Sequence, residues 1–366
     1  EGRLGKINLL EEELLRPVID ETGSDSAMLD NAIELLTREG RDVRHAVAML
    51  CPAAWEAIEE GDDESGSIRD FYRYHACLVE PWDGPAGLMF TDGVRVGASL
   101  DRNGLRPLRY VVCEDGMVAC GSEAGSIYTR GRGLIKRGKL GPGQMICVDP
   151  TADGFEADPV RRLAQRRPYG QWLAEHLRPG PVGEPSPARV PDLLARQVAY
   201  GYTREDFTSI LRPTASSGHE PTFSMGDDTP LSVVSEHARP LYTYFKQRFA
   251  QVTNPAIDPL RERLVMSIRT LVGPHDPILW ERPEGAAMLE LDTFLLFKPI
   301  GGYQLDATFR VDQGARGMVR QLEHIAEEAQ GAARLGSGIL LLSDTNIGPE
   351  RAPIPMLLAV GAVHHA

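Results

Sequence analysis

The sequence predicts an α+β fold of antiparallel sheets with helices in the first part of the chain and an α/β fold in the second part. Two Asp-Gly turns, at 91–93 and 114–116, each separate two short apolar runs. Such turns favour antiparallel hairpins, because glycine adopts a positive φ at little cost. Near the end, a helical pattern over 315–335 precedes the apolar run 337–344, SGILLLSD. A helix followed by a buried parallel strand is typical of α/β folds.

Composition narrows the classes of partner. The chain has 366 residues and a formal net charge of −13 at pH 7. A negative surface disfavours nonspecific binding to nucleic acid or to an anionic membrane, so we expect neither as a partner. No apolar run approaches the ~18 residues of a membrane-spanning helix. The sequence starts EGRLGKINLL, without an initiator methionine or an apolar signal core, so we expect a piece of a longer chain.

An amphipathic helix is predicted over 26–40. Leu29, Ile33 and Leu36 recur at helical spacing, and a glycine follows as a stop signal. Asp25 stands directly before the periodic part, where an N-cap carboxylate would accept backbone N–H bonds.

A second short helix is predicted over 42–50, with His45 as a surface or packed residue that has no visible partner. The acidic stretch 59–70 indicates a solvated loop. His75 is placed at the start of a strand, in a structural role. The two hairpins that follow are expected to belong to one sheet.

Five cysteines bear on the cellular compartment: Cys51, Cys77, Cys113, Cys120 and Cys147. An odd number without a C-x-x-C motif argues against a disulfide framework and against a zinc or iron–sulfur site. In the second hairpin, the expected register sets Cys113 opposite Val118, which leaves Cys120 as a diagonal neighbour beyond disulfide reach. We therefore expect reduced thiols, no metal and a cytoplasmic setting.

The proline-rich stretch Pro179–Pro191 indicates a connector, and we expect a domain boundary near residue 165. The predicted domains are 1–165 and 166–366, with 166–215 as connector. The basic stretch 161–167, RRLAQRR, is expected to be a solvated helix face.

Later segments predict two further helices and contain three aspartates that could be considered as ligands. Residues 241–252 predict an amphipathic helix, and 350–365 predict a further one after the buried strand. Asp227 and Asp228 suggest an acidic loop more than a metal site, because no third ligand stands at a suitable spacing. Asp344 ends the buried strand, where α/β sheets tend to bind ligands, although a cap or turn is the expected role.

Several motifs resemble one enzyme family. YHACLVEPWDGPA, LDRNGLRPLRY and GSEAG, between 74 and 125, are similar to the closing part of class II glutamine amidotransferase domains. The run 224–268, which begins SMGDDTPLSVVSEHARPLYTYF, resembles the central domain of glutamate synthase. The resemblance spans nearly the whole chain. It implies an amidotransferase domain of the N-terminal-nucleophile type, followed by that central domain.

The resemblance also implies a function. Glutamate synthase makes glutamate from glutamine and 2-oxoglutarate, and the segment TGSDSA implies that Asp25 holds the α-ammonium group of glutamine. The nucleophilic cysteine and the oxyanion-hole Asn-Gly pair would lie upstream of this chain, which leaves no catalytic residue within it. FMN and an iron–sulfur cluster would belong to other domains, and a small subunit or ferredoxin would donate electrons. The isolated chain is therefore expected to be inactive.

Two alternatives stay open at this point. DRNGLRP is also similar to a run in purine amidophosphoribosyltransferases, although no phosphoribosyl pyrophosphate signature is visible downstream. A non-catalytic scaffold protein that kept the same architecture is the second alternative.

Overall fold

The structure, a computed structural model, describes residues 17–58, 63–82, 84–151, 154–184, 190–218, 221, 230, 232–236, 239–245, 267–293 and 296–366. The described residues fall into two compact units. The first comprises Glu1–Val182 and Ala256–Leu296, and the second Gly183–Pro255 and Phe297–Ala366. Asp227, Asp228 and most of the helix predicted over 241–252 lie outside the described residues; Leu241–Tyr244 forms a 3-10 turn.

The first unit combines five described helices with three small sheets. Its helices are α1 Asp25–Arg38, α2 Val43–Leu50, α3 Asp63–Leu78, α4 Val160–Ala164 and α5 Tyr169–His176. Its strands are β1 Gly87–Thr91, β2 Val96–Leu100, β3 Arg109–Cys113, β4 Val118–Gly121, β5 Leu134–Lys139, β6 Met145–Asp149, β7 Gly154–Glu156, β8 Arg178–Pro179, β9 Thr270–Val272 and β10 Leu289–Leu291.

Both predicted hairpins are confirmed, but their assignment to one sheet is wrong. β1 and β2 pair antiparallel in the sheet β1-β2-β6-β7, whereas β3 and β4 belong to the separate sheet β4-β3-β5. The register of the second hairpin is also shifted by one residue from the expected one. Val112 pairs with Val118, and Cys120 pairs with Tyr110. Cys113 instead donates its backbone N–H to the carbonyl of Met117 at 2.9 Å.

The loop prediction is wrong for residues 63–70, and the strand position predicted for His75 is wrong, because α3 begins at Asp63 and contains His75. Residues 59–62 lie outside the described residues. This helix carries large apolar side chains on several faces. Phe71, Tyr72 and Tyr74 are all buried in the main core of the first unit, together with Tyr169 and Trp172 of α5. Burial of so much aromatic surface makes α3 the central packing element of this core.

The helices α1 and α2 follow their predictions, apart from the cap of α1. Leu29 and Leu36 are buried in α1, as expected from their spacing. Ser24 is its N-cap residue, and Asp25 is the first helical residue, so the expected cap role of Asp25 is wrong. Asp42 caps α2 by accepting the N–H of Arg44 at 2.9 Å.

The second unit contains the α/β elements. Its elements are α6 Leu193–Ala199, α7 Arg212–Ser217, α8 Gly314–Arg334, α9 Met356–His364, β11 Tyr303–Asp306, β12 Thr308–Arg310, β13 Leu340–Ser343 and β14 Arg351–Pro353. β11 and β13 pair in parallel, which confirms the predicted parallel strand, although β13 is only half-buried. The helix predicted over 350–365 begins later, since 351–353 pair with β12 as β14.

Helix α8 confirms the helix predicted over 315–335, and it has one apolar face. Ile325 and Ala329 are buried, and Met318 and Leu322 pack against the same cluster. Among the described residues, no helix is both long and apolar enough to cross a bilayer.

Packing of the first unit continues beyond the boundary predicted near residue 165. Trp172, Leu173 and Leu177 lie in its main core, and β8 pairs with β10. The division into domains 1–165 and 166–366, with 166–215 as connector, stays a prediction.

Candidate functional site

A groove of about 690 Å³ lies beside the start of α1. Helices α1 and α2 and the hairpin β1–β2 form its walls. Its polar lining includes Ser24, Ser26 and Asp30, and its apolar lining includes Met89 and Val96. Met89 and Val96 are 55% and 57% exposed, so the groove is open on the β side. Such a lining suits a small ligand with a polar head and a short aliphatic chain.

Asp25 lies at the rim of this groove. It is exposed in the first turn of α1, between Ser24 and Ser26, but is not itself a lining residue. Ser24 Oγ caps the helix by accepting the N–H of Ala27 at 3.3 Å and lies 3.0 Å from Ser26 Oγ. Because Ser24 serves as the cap, the Asp25 carboxylate is available to a ligand.

A second polar cluster is buried between α2, α3 and the segment around Glu281. The Nε2 atoms of His45 and His75 are 2.8 Å apart, and both side chains are about 1% exposed. Arg41 Nη1 lies 3.2 Å from His45 Nε2 and 3.8 Å from a Glu281 oxygen. The Tyr169 hydroxyl donates to the other Glu281 oxygen. The expectation that His45 has no partner is therefore wrong.

The proton positions in this cluster follow from its hydrogen bonds. His75 Nδ1 is 2.8 Å from the Phe71 carbonyl, which can only accept, so Nδ1 carries a proton. In a neutral imidazole, Nε2 of His75 is then an acceptor, and His45 Nε2 must donate to it. Burial lowers the pKa of His75 to about 3, assisted by the charge of Arg41. Burial, followed by His75 and Arg41, also lowers the pKa of His45 well below its usual value.

The cluster also brings three potential metal ligands together. Atoms of His45, His75 and Glu281 all lie within 4.8 Å of one another. However, Arg41 already supplies a positive charge between His45 and Glu281, at 3.2 and 3.8 Å. A divalent cation there would be repelled by the guanidinium, and His45 Nε2 already carries a proton. The arrangement fits a buried hydrogen-bonded network better than a metal centre.

The five cysteines lack the features of a nucleophile. Cys51, Cys77, Cys113 and Cys147 are buried, and Cys120 is half-buried. Burial raises the pKa of Cys51 and that of Cys77 to about 12. It also raises the pKa of Cys120 and of Cys147. Reactivity belongs to the thiolate, so a raised pKa makes these thiols poor nucleophiles.

Other candidates from the sequence have ordinary surroundings. Asp344 follows β13 and accepts the Tyr200 hydroxyl at 3.3 Å, so its carboxylate is engaged in a surface contact. The arginines of RRLAQRR are exposed, as expected. The His45–His75 pair escaped sequence reasoning, because its members lie 30 residues apart on two different helices.

Comparison with known proteins gives two family matches in tandem. Residues 5–172 match the family described as class-II glutamine amidotransferases, and residues 195–366 match the glutamate synthase central domain. The chain belongs to the glutamate synthase family. Its class II amidotransferase domain precedes its central domain, in the order that the sequence motifs predicted.

Individual relatives support the same assignment. The chain is 40% identical, over 96% of its length, to a ferredoxin-dependent glutamate synthase of Pyropia yezoensis. It is 38% identical, over 95% of its length, to the glutamate synthase [NADPH] large chain of Bacillus subtilis (strain 168). It spans only 24% and 23% of these relatives, respectively.

The described residues do not fit an iron–sulfur cluster. Such clusters need several convergent cysteine thiolates. The three-ligand group found in the described part of the chain consists of two histidines and a glutamate, without a cysteine.

Proposed function

We propose that this chain is a segment of a glutamate synthase that makes glutamate from glutamine and 2-oxoglutarate. The supporting observation is the tandem match of 5–172 and 195–366 to an amidotransferase domain and a glutamate synthase central domain. The segment contributes glutamine binding. As its resemblance to glutamate synthase implies, it also forms part of the wall of an internal tunnel that carries ammonia from the glutamine site to the flavin site. Neither the purine-type amidotransferase nor a scaffold protein gains support from these two family matches or from the relatives described above.

Glutamine binds at the groove beside α1, with Asp25 as the partner of its α-ammonium group. Three observations support this role: the carboxylate is exposed, it is free of the cap role that Ser24 fills, and it stands at the rim of the groove. A carboxylate and an ammonium form a strong charge-assisted hydrogen bond. The hydroxyls of Ser24 and Ser26 offer further polar contacts to the same head group.

The chemical steps use groups outside this segment. Because the five cysteines are largely buried, and four of them have a raised pKa, the attacking thiol and its oxyanion hole come from another part of the enzyme. FMN and the iron–sulfur cluster are likewise held by other domains. Electrons come from a small subunit or from ferredoxin, and we propose a cytoplasmic setting.

The test is Asp25→Asn in the complete enzyme. Loss of the charge-assisted contact should raise the KM for glutamine about tenfold or more, while ammonia-dependent glutamate formation persists. Glu39→Gln is the matched control, because it removes one exposed negative charge from the other end of α1. A glutamine KM that stays unchanged in Asp25→Asn would rule out the binding role. Failure of the unmodified enzyme to form glutamate would rule out the proposed function itself.

A further inference from the structure

The outer face of the sheet β4-β3-β5 carries three cationic side chains that have no partner in the part of the chain that the structure describes. Arg109 pairs in register with Lys139, and Val111 pairs with Arg137. Side chains alternate along a strand, so Arg109, Arg137 and Lys139 project from the same face. The opposite face packs inward, with Tyr110 and Val112 buried in a core cluster. The three charges therefore stand together on the side away from that core.

This arrangement is costly without a counterion. Like charges directly opposite each other on neighbouring strands destabilise a sheet. Within the described residues, the side chains of Arg109, Arg137 and Lys139 form no hydrogen bond or ion pair. Other arginines of the first unit do have acidic partners. Arg95 contacts Asp92 and Asp149, for example.

A cavity of about 630 Å³ lies against the same face of the sheet. The three cations line it, together with one carboxylate, that of Glu123. The loop that follows β4 closes one side and adds the hydroxyl of Ser126 to the lining. This loop lies close to the sheet, because a Cβ at Gly121 would come within 2.9 Å of Ser126 Oγ. The cavity shares no lining residue with the groove beside α1.

We propose that this cavity binds a small molecule that carries a phosphate or pyrophosphate group. Two guanidinium groups can each form paired hydrogen bonds with phosphate oxygens, and the ammonium group of Lys139 adds a point charge. A multiply charged group is favoured over a single carboxylate, because three positive charges face one negative charge. The apolar part of the lining, which includes Val111 and Ile127, leaves room for an uncharged body of the ligand.

The test is calorimetric titration of the complete enzyme with pyrophosphate and, separately, with citrate as a carboxylate of similar charge. Pyrophosphate should bind saturably. The double variant Arg109→Gln/Arg137→Gln should weaken binding about tenfold or more, since each charged hydrogen bond is worth about that factor. Arg167→Gln is the control, because it removes an exposed arginine that does not line the cavity.

Melting temperatures of the variants, measured with and without pyrophosphate, distinguish a loss of binding from a folding defect. Without ligand, Arg137→Gln should raise the melting temperature of this domain slightly, because one member of a repelling group is removed. Pyrophosphate should raise the melting temperature of the unmodified enzyme and should leave that of the double variant unchanged. Absence of saturable binding, equal binding by the double variant, or tighter binding of citrate than of pyrophosphate would each overturn the proposal.

Discussion

His45 and His75 face each other through their Nε2 atoms at 2.8 Å, and both are buried beside the charged group of Arg41. Since His75 donates through Nδ1 to the Phe71 carbonyl, the single proton between the two rings belongs to His45. Arg41 is then held by the Ile278 carbonyl at 3.0 Å and by Glu281, and not by a true hydrogen bond to His45. Helices α2 and α3 are thus joined by a pair of neutral imidazoles.

This pair predicts a loss of stability in mild acid. Both pKa values are lower in the folded state than in the unfolded chain, so the unfolded chain binds more protons below pH ~6.5. The free energy of unfolding should therefore fall as the pH drops from ~6.5 towards 3. The slope should be about 1.4 kcal/mol per pH unit for each histidine. This slope can be measured by urea unfolding at a series of pH values, with the fluorescence of the buried Trp55 and Trp172 as the signal.

Histidine variants separate the contribution of the two imidazoles to this pH dependence from the contribution of the carboxylates. His45→Gln/His75→Gln should flatten the slope between pH 6 and 4, whatever its stability at pH 7. His324→Gln removes a histidine whose side chain is 64% exposed and should leave the slope unchanged. A double variant with the slope of the unmodified chain would refute the assignment of neutral, buried imidazoles.

The cap of α1 yields a second prediction. Ser24→Ala should cost about 0.5–2 kcal/mol of stability, because the N–H of Ala27 loses its acceptor. Asp25→Ala should cost less, since that carboxylate only adds a favourable interaction with the helix dipole, worth about 0.3–1 kcal/mol. Chemical denaturation of both variants gives the comparison. The reverse order of costs would restore Asp25 as the cap and weaken its proposed role in glutamine binding.

The helices with one apolar face could be predicted from the sequence. In α1 and α8, the apolar residues fall on one stripe, and the structure buries that stripe. The two hairpin turns could also be predicted, because tight hairpin turns require a residue with positive φ and the sequence places a glycine after an aspartate in each. In the structure, Gly93 and Gly116 have φ of 86° and 82°.

Other features could not be read in this way, for physical reasons. Helix α3 buries Phe71, Tyr72, Tyr74 and Cys77 on more than one face, so its sequence lacks a single apolar stripe and resembles a strand. Which strands share a sheet depends on pairing over long sequence separations, as between β2 and β6, and no local pattern encodes it. The groove beside α1 depends on the same kind of long-range packing. The sequence motif could therefore indicate Asp25 as a ligand-binding residue, but it could not predict which elements form the walls of the groove.

A third prediction concerns close packing within the first sheet. Gly97 of β2 pairs with Phe90 of β1, and a Cβ at Gly97 would lie 2.1 Å from the Phe90 ring. Gly97→Ala should therefore destabilise the unit by about 1–3 kcal/mol, because the ring must move. Gly87→Ala is the control on the neighbouring strand, where the nearest atom would be at an ordinary 3.6 Å. Equal melting temperatures for the two variants would contradict this packing.

Thiol reactivity gives a fourth prediction. At pH 8, folded chain should react slowly with iodoacetamide at Cys51 and Cys77, because burial raises the pKa of each to about 12 and blocks access. Urea should make all five cysteines reactive, and intact mass should show five added groups. Mass spectrometry without reductant tests the expected reduced state directly. A mass lower by two hydrogens, or fewer than five labelled sites in urea, would indicate a disulfide.

The same thiols lead to the last prediction, that the 366-residue chain has no glutaminase activity by itself. Hydrolysis of the amide by a cysteine requires a thiolate at the substrate, with donors placed for the developing oxyanion. No cysteine lines the groove beside α1, and burial raises the pKa of four of the five thiols. Asp25 could hold glutamine there, but binding that is equal in ground state and transition state does not accelerate the reaction. Glutamate release from glutamine should therefore stay at background for this chain and become measurable in the complete enzyme. Turnover by the chain alone, abolished by alkylation of one of its own cysteines, would mean that the nucleophile lies within it.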